Sequence, residues 1–368
     1  MAARRNSRIF NERRDILHSL DDNELIQRYR FDRNSIVYIC DILEQELSPI
    51  TQRSCAVSCV TKVLVTLRYL ATGKFQICNG DDHGLSQPTI SRVIFQTLDS
   101  LTSHRILRRF VTFPVQPQEI RRHQQRFYQT ANFPGIVGVI DGTHIQIQAP
   151  SVNEKEFVNR HNYHSVNTQI VFDSDDHIID IVARWPGSTH DSRILTTSGL
   201  CRMFEGNRLP VSCHLLGDSG YPCRRWILTP FLRPLQGPQT NYNRSHKKTR
   251  SCVERGIGQL KRRFHVLHGE IRLSPQKACK VITACAVLHN ISKDRNVPMP
   301  VVHGNSQSGQ LRAQMQGLSA IAPAATGLRY REQFAITYFP CKLFPATIIW
   351  HSKYALSINL NFPKGQPI

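Results

Sequence analysis

The hydrophobic pattern has a helical period in the first third of the chain and a strand period after it. Apolar residues recur every three or four positions over residues 35–47, 61–72 and 86–98, which predicts three amphipathic helices. A fourth helix is predicted over residues 117–127, within a connector rich in Arg and Gln. Residues 74–85 form a polar connection between the second and third helices. The pattern therefore predicts an all-α region at the start of the chain.

The strand pattern begins with residues 136–147, an apolar run that has Asp141 in its middle. Residues 168–173 and 178–185 follow as two further apolar segments, and the turn 174–177 separates them. We expect a meander of antiparallel strands. A buried carboxylate without a partner costs several kcal/mol, so we expect Asp141 to be hydrogen-bonded, protonated or bound to a cation.

The later part of the pattern predicts one more strand and two helices. The segment 214–222 begins as a short apolar strand that runs into Asp218 and a Gly/Pro turn, which places Asp218 at the end of the strand. From about residue 249 an apolar stripe with helical spacing predicts a helix that carries Glu254, and a last helix is predicted over 275–290. The order of the elements is strand, strand, strand, helix, strand, then helices.

The three N-terminal helices admit two interpretations. A helix, a turn region and a third helix that begins at Ser86 can form a helix-turn-helix unit with polar side chains facing a DNA groove. The alternative is an ordinary helical bundle that packs on the next domain. In the first interpretation the residues that face outward are Gln87, Thr89, Ser91 and Arg92.

Charge points to a polyanionic partner. The chain of 368 residues carries 47 Lys and Arg against 27 Asp and Glu, a formal net charge of +20. Fourteen of the Lys and Arg lie between residues 224 and 280, where only two Glu oppose them, which favours DNA over an anionic membrane. No apolar run of eighteen residues occurs, so we expect a soluble protein that does not enter a membrane. Eleven scattered cysteines without a CxxC pair predict a reducing compartment and no disulfides.

Four acidic residues are candidates for a shared site: Asp141, Asp191, Asp218 and Glu254. Clustered carboxylates raise one another's pKa unless a cation lies among them, and oxygen ligands suit Mg²⁺ or Mn²⁺. Two such ions can support phosphodiester cleavage. Asp191 also has the alternative role of a helix cap, since it opens a short helix. The pair His161 and His164 is a weaker metal candidate, because it has no further ligands at zinc spacing.

Five segments in fixed order resemble the DDE endonuclease domain of Harbinger/PIF transposases and of the vertebrate nucleases derived from them. The segments are VIDGTHI (139–145), WPGSTHDSRI (185–194), LGDSGYP (216–222), VERGIGQLKRRF (253–264) and VLHN (287–290). Two upstream segments, LVTLRYLATG (64–73) and LSQPTISR (85–92), look like the helix-turn-helix region of the same family.

The resemblance implies an α/β fold, a ribonuclease H-like DDE endonuclease domain preceded by an all-α helix-turn-helix region. It implies that Asp141, Asp218 and Glu254 are the catalytic acids, with thirty-five residues between the last two, and that Asp191 is a further metal ligand. The implied cofactor is Mg²⁺ or Mn²⁺. The implied partners are DNA and a separate Myb-like DNA-binding protein, and the implied location is the nucleus, also the cytoplasm. The sequence does not indicate an oligomeric state.

The resulting division of the chain has five parts. They are a basic N-terminal arm (1–20), a helical, helix-turn-helix-like region (21–103), a connector (104–134), the endonuclease domain (135–295), and a linker with a C-terminal tail (296–368). Family members end near a helix like residues 328–339, and the residues after it depart from the family pattern.

Two functions remain open at this stage. One is a metal-dependent DNA endonuclease that cleaves phosphodiester bonds with two metal ions. The alternative is a domesticated DNA-binding or scaffold protein without catalysis. The presence of all four acids favours the enzyme.

Overall fold

The structure is a computed structural model that describes residues 15–49, 51, 55–301 and 325–340. The basic residues before 15, most of the Ser/Gly/Gln-rich linker, and the tail after 340 lie outside this described part. Within it, no helix is both long and apolar enough to cross a membrane. The proposed division into an arm, a helical region, a connector, a nuclease domain and a tail stays a prediction.

The N-terminal part of the described chain is helical, as the period of its apolar residues predicts. The first eight helices are α1 (Ile16–Ser19), α2 (Asp22–Tyr29), α3 (Arg33–Leu47), α4 (Cys59–Thr72), α5 (Gln76–His83), α6 (Gln87–Leu101), α7 (His104–Phe110) and α8 (Pro117–Ala131). Helix α4 packs against α3 and α6, and all three contribute to the hydrophobic core.

Helix α5 corrects the sequence interpretation, because it lies in the segment expected to be a polar connection. Its buried residues are Asn79, Gly80 and His83, so it has no apolar stripe that the pattern could reveal. Asn79 donates through Nδ2 to the carbonyl oxygen of Val65 at 3.0 Å, which satisfies the buried amide from α4. Gly84 ends α5 in the left-handed region, with φ 63°, and α6 begins three residues later.

The rest of the described chain is a five-stranded sheet with helices on both faces. The strands lie in the order β3-β2-β1-β4-β5; β1, β2 and β3 are antiparallel neighbours, and β4 and β5 run parallel to β1. The elements are β1 (Ile136–Gln146), α9 (Glu154–Phe157), β2 (Ser165–Phe172), β3 (Ile178–Pro186), α10 (Asp191–Thr196), α11 (Gly199–Glu205), β4 (His214–Leu216), β5 (Ile227–Leu228), α12 (Pro238–Arg263), α13 (Pro275–Asp294) and α14 (Ala325–Tyr338).

The core lies on both faces of the sheet, because successive residues of a strand point to opposite sides. Val139 of β1 belongs to the cluster that includes α12 and α13, whereas Ile140 belongs to the cluster that includes α10 and α11. Burial of each such Val or Ile side chain stabilises the fold by about 1.5–3 kcal/mol. The mixed α/β class and the antiparallel meander are thus confirmed.

Helix α12 is longer than predicted. It begins at Pro238, eleven residues before the expected start, and its first half buries Tyr242, Ser245, His246 and Thr249. Side chains of this half donate hydrogen bonds to α8 and α14. Because three of its four buried positions are Ser, His and Thr, a stripe of apolar residues begins only at Cys252.

The turn between β2 and β3 is present as predicted, but one of its aspartates also holds the fold together. Asp176 is 6% exposed and accepts hydrogen bonds from Arg255 at 2.7 Å and from Gln259 at 3.1 Å, both on α12. The ammonium of Lys293, on α13, lies 3.7 Å from the same carboxylate. Asp176 therefore ties the sheet to both long helices.

Candidate active site

Two of the candidate acids lie on neighbouring parallel strands. Asp141 is the middle residue of β1 and is 9% exposed. Asp218 follows the last residue of β4 by two positions. The register pairs Val139 with Leu216, so that two residues further along, Asp141 and Asp218 come to the same edge of the sheet. The polypeptide fold thus brings together two acids that are far apart in sequence.

Asp191 approaches the same edge from α10. It is the first residue of this helix, and the N-cap position belongs to His190, so the alternative role of Asp191 as the cap is wrong. Its Oδ1 instead accepts a hydrogen bond from Nδ2 of Asn167 at 2.9 Å. Its carboxylate lies directly against Gly142, where an added methyl group would overlap it. Gly142 therefore allows Asp191 to pack beside Asp141.

Glu254 reaches the site through an arginine rather than by direct contact. Arg250, one helical turn earlier on α12, donates through Nη2 to Oδ2 of Asp141 at 2.6 Å. Its Nη1 donates to Oε1 of Glu254 at 3.3 Å. The Glu254 side chain is 59% exposed, whereas those of Arg250 and Asp141 are 16% and 12% exposed. The sequence analysis counted Arg250 only as one of many cations. The available signal was its spacing of four residues from Glu254.

Electrostatics couple the three aspartates. The pKa of Asp141 is raised to about 7, mainly by burial and also by the charges of Asp218 and Asp191, while Arg250 opposes the increase. Burial also raises the pKa of Asp191 and of Asp218. Desolvation alone would lower the pKa of Arg250, but the carboxylates around it outweigh this effect and raise it. These shifts are typical of a group of carboxylates in a low-dielectric environment.

Tyr221 is a site residue that the sequence analysis did not single out. It is 2% exposed, and burial raises its pKa, with further increases from Asp191, Asp141 and Asp218. Its hydroxyl has no hydrogen-bond partner among the described residues. A buried hydroxyl without a partner beside three carboxylates is a further polar group available to a ligand.

The donor set fits a hard divalent cation in its chemistry. Asp141, Asp191 and Asp218 offer only oxygen atoms, and the buried Oδ1 of Asn167 has no partner in the described part of the chain. The described ranges contain no group of three or more His, Cys, Asp or Glu side chains close enough to hold one ion. The charge of Asp141 is instead balanced by Arg250. The carboxylates are therefore near enough to shift one another's pKa without forming a closed ligand cage.

The comparisons with known proteins agree with this site. Residues 140–290 match the model of the DDE superfamily endonuclease family. The chain is 34% identical to the Mus musculus protein named "Putative nuclease HARBI1", over 88% of this chain and 92% of that protein. The chain belongs to the Harbinger transposase-derived nuclease family.

Two further relatives extend the comparison. The Homo sapiens protein with the same name is 35% identical over 76% of this chain and 80% of its own length. The Arabidopsis thaliana "Protein ALP1-like" is 27% identical over 75% of this chain and 72% of its own length. No solved structure shows a significant match. Endonucleases of the DDE superfamily generally use divalent metal ions.

The histidine pair of this nuclease domain does not form a metal centre with other residues of the described part. Nε2 of His164 lies 3.1 Å from Oε1 of Glu154, and the ring of His161 stacks on Tyr163. His161 is also contacted by Nε of Arg160 at 3.3 Å. The two histidines thus have other partners in the structure.

Of the fourteen Lys and Arg between residues 224 and 280, those at the end of α12 are only partly exposed. Arg263 is 3% exposed and donates to the carbonyl oxygens of Arg30 at 2.9 Å and Val297 at 2.8 Å. Burial lowers the pKa of Lys261 to about 8, and its ammonium donates to the carbonyl oxygen of His144 at 3.3 Å. Of the three consecutive cations, only Arg262 is exposed. The reason is the helical period, which turns position 263 to the side that also buries Leu260.

Proposed function

We propose that the chain is a metal-dependent DNA endonuclease of the Harbinger transposase type. The observation that carries the proposal is the convergence of Asp141, Asp191 and Asp218 on one edge of the sheet, beside Arg250 and Glu254. The strand order, three antiparallel strands followed by two parallel ones, supports a ribonuclease H-like fold.

In the proposed site, Asp141, Asp218 and Glu254 are the catalytic acids, and Asp191 is a further ligand for Mg²⁺ or Mn²⁺. When bound, such ions supply an activated water or 3′-hydroxyl and stabilise the leaving oxygen in phosphodiester cleavage. The chain's own residues prepare the acids. Asn167 orients Asp191 through a hydrogen bond of 2.9 Å, and the backbone N–H of Gly142 donates to Oδ1 of Asp141 at 2.9 Å.

DNA is the proposed substrate, and the exposed cations of α12 support this choice. Lys247, Lys248 and Arg262 are exposed, so they can contact phosphates without losing an internal partner that holds the fold. We propose α5, the turn at Gly84 and α6 as a helix-turn-helix region, supported by the exposure of Gln87 and Arg92 at the start of α6.

Two further proposals follow from the family rather than from contacts in the chain. Targeting to DNA depends on a separate Myb-like protein, and the protein acts in the nucleus and also occurs in the cytoplasm. Co-purification with that partner and imaging of a tagged chain would test them.

A DNA-binding or scaffold protein without catalysis is the second candidate. The observation that favours it is the ion pair between Arg250 and Asp141, which balances the charge of the buried acid in the absence of a metal. A chain that has lost catalysis could keep this pair as a structural contact.

Nicking of supercoiled plasmid in Mn²⁺ separates the two candidates. We expect the wild type to nick the plasmid and Asp218→Asn to lose this activity while keeping its DNA affinity. Asp175→Asn is the matched control, because Asp175 is an exposed turn residue paired with Arg126 and should leave nicking unchanged. DNA binding without nicking by the wild type, with the Myb-like partner supplied, would favour the scaffold.

A further inference from the structure

A cleft opens at the acid site, and Asp191 forms part of its wall. Its walls include His144, Arg160, Asn167 and the loop 187–190, and its volume is about 120 Å³. A water molecule needs about 10–15 Å³ on such a scale. The cleft therefore has room for a phosphate and its sugar but not for a base-paired duplex.

Arg160 supplies the cleft with a permanent positive charge. Among the described residues, no carboxylate lies within ion-pair distance of its guanidinium. Burial raises the pKa of Asp191 and of Asp218, and the charge of Arg160 is among the groups that oppose both increases. The same cation thus acts on the acids and faces a space that an anion can enter.

The backbone around Arg160 is held in place by hydrogen bonds. Oδ1 of the buried Asn159 accepts from the backbone N–H of His161 at 2.8 Å, and its Nδ2 donates to Oγ of Ser165 at 3.0 Å. A β-bridge between Val158 and His164 closes the loop. Arg160 is therefore presented by a fixed segment, which lowers the entropic cost of binding.

The remaining polar groups of the cleft are suited to hydrogen bonding. Burial lowers the pKa of His144 to about 4, so its ring is neutral at pH 7 and contributes no charge. Asn167 is 2% exposed, and its Oδ1 has no partner in the described part of the chain. Ser188 and His190 are exposed on the loop that forms the opposite wall. Among the residues that line the cleft, Arg160 is the one Lys or Arg and Asp191 the one carboxylate, so Arg160 and the hydrogen-bonding groups would hold a phosphate there.

We propose that this cleft binds a single phosphate of one DNA strand, adjacent to the phosphate that is cleaved, with Arg160 as its cation. The inference rests on the proposed function, because it places the neighbouring nucleotide of the same substrate. Because the cleft encloses only one backbone unit, we expect a flexible single strand to enter it more readily than a rigid duplex.

The test uses the full chain and DNA binding without metal. Affinity for a fluorescent twenty-nucleotide oligothymidylate is measured by anisotropy in EDTA over a range of salt. We expect Arg160→Gln to flatten the slope of log affinity against log salt by about 0.7, the value for one lost phosphate contact on a single strand. Arg160→Lys should keep the wild-type slope. Arg208→Gln is the matched control, because Arg208 is exposed and precedes β4, at the end of that strand opposite to Asp218.

Three outcomes would overturn the inference. One is an equal slope for Arg160→Gln and Arg208→Gln on the oligothymidylate. Another is a slope that Arg160→Gln flattens by the same amount on a closed hairpin duplex as on the oligothymidylate, which would contradict the preference for a single strand. The third is stabilisation by inorganic phosphate that depends on Arg160 without any change on DNA, which would indicate a free-anion site. Because no cleavage is measured, a wild type that fails to nick plasmid would contradict the proposed function and leave this result intact.

Discussion

Replacement of Arg250 by Gln should destabilise the metal-free protein, and the loss should depend strongly on pH. Arg250 donates to the buried Asp141 at 2.6 Å, and both side chains are less than one fifth exposed. Removal of one partner of a buried ion pair costs about 3–5 kcal/mol, because the other charge is left uncompensated. A protonated Asp141 carries no charge to be compensated, so this cost applies only at pH values at which the carboxyl is ionised.

The sign of the pH dependence follows from the raised pKa. Asp141 has a pKa of about 7 in the folded state and 3.8 in the unfolded state, so its contribution to stability is fully present below pH 3.8 and is lost as the pH rises through 7. Loss of Arg250 raises the folded-state pKa of Asp141 further. Each added pKa unit lowers the free energy of unfolding by about 1.4 kcal/mol at pH values above the raised pKa. If the carboxyl stays protonated in the variant, the loss at pH 8.5 exceeds that at pH 5.5 by about 2 kcal/mol, since pH 8.5 lies 1.5 units above the wild-type pKa of about 7. We therefore expect Arg250→Gln to lose about 3 kcal/mol at pH 8.5 but only about 1 kcal/mol at pH 5.5.

Urea unfolding in EDTA at the two pH values measures this loss. The matched control is Arg126→Gln, which removes an ion pair with Asp175 whose side chains are 40% and 43% exposed. Such a surface pair contributes at most about 1 kcal/mol at either pH. A loss for Arg250→Gln that equals the control at pH 8.5, or that is the same at both pH values, would refute the reasoning.

Two further predictions concern Glu254 and His289. Glu254→Gln should change the free energy of unfolding by less than about 1 kcal/mol, because the side chain is 59% exposed, yet it should abolish plasmid nicking in Mn²⁺; robust nicking would exclude Glu254 from the catalytic acids. Burial lowers the pKa of His289 from 6.5 to about 4, so the stability that its neutral ring contributes is present above pH 6.5 and is lost, by about 3 kcal/mol, as the pH falls to 4. Urea unfolding of His289→Gln at pH 7 and 4.5 should show a smaller decrease with acid than the wild type, and an equal decrease would contradict the assignment.

The sequence predicted those parts of the fold in which buried positions are apolar. The alternation in residues 136–147 and the two segments after it are confirmed as β1, β2 and β3, and the stripe of α13 is confirmed from Pro275. The proximity of Asp141 and Asp218 also follows from strand order, once β4 lies parallel to β1. The catalytic roles of these acids stay predictions.

The sequence pattern failed where polar residues are buried. Helix α5 and the first half of α12 pack through amide, hydroxyl and imidazole groups, which the hydrophobic period does not register. The buried state of Arg263 could not be read from a charge count, because its acceptors are carbonyl oxygens 233 and 34 residues away. Charge counts treat all arginines alike, whereas the fold gives them different partners.

One side of α12 connects DNA affinity with the acid site. Lys247, Arg250 and Glu254 follow one another at spacings of three and four residues and therefore lie on this side of the helix. A phosphate held at the exposed Lys247 would lie one turn from Arg250 and two turns from the exposed Glu254. Asp141 is buried, and its charge is already balanced by Arg250. A divalent cation that binds Asp141 must displace Arg250 from the carboxylate. Its binding free energy therefore contains only the difference between the attraction of the cation and that of the arginine for this carboxylate. Metal affinity of the free protein should therefore be modest, and added phosphate charge from DNA should increase it.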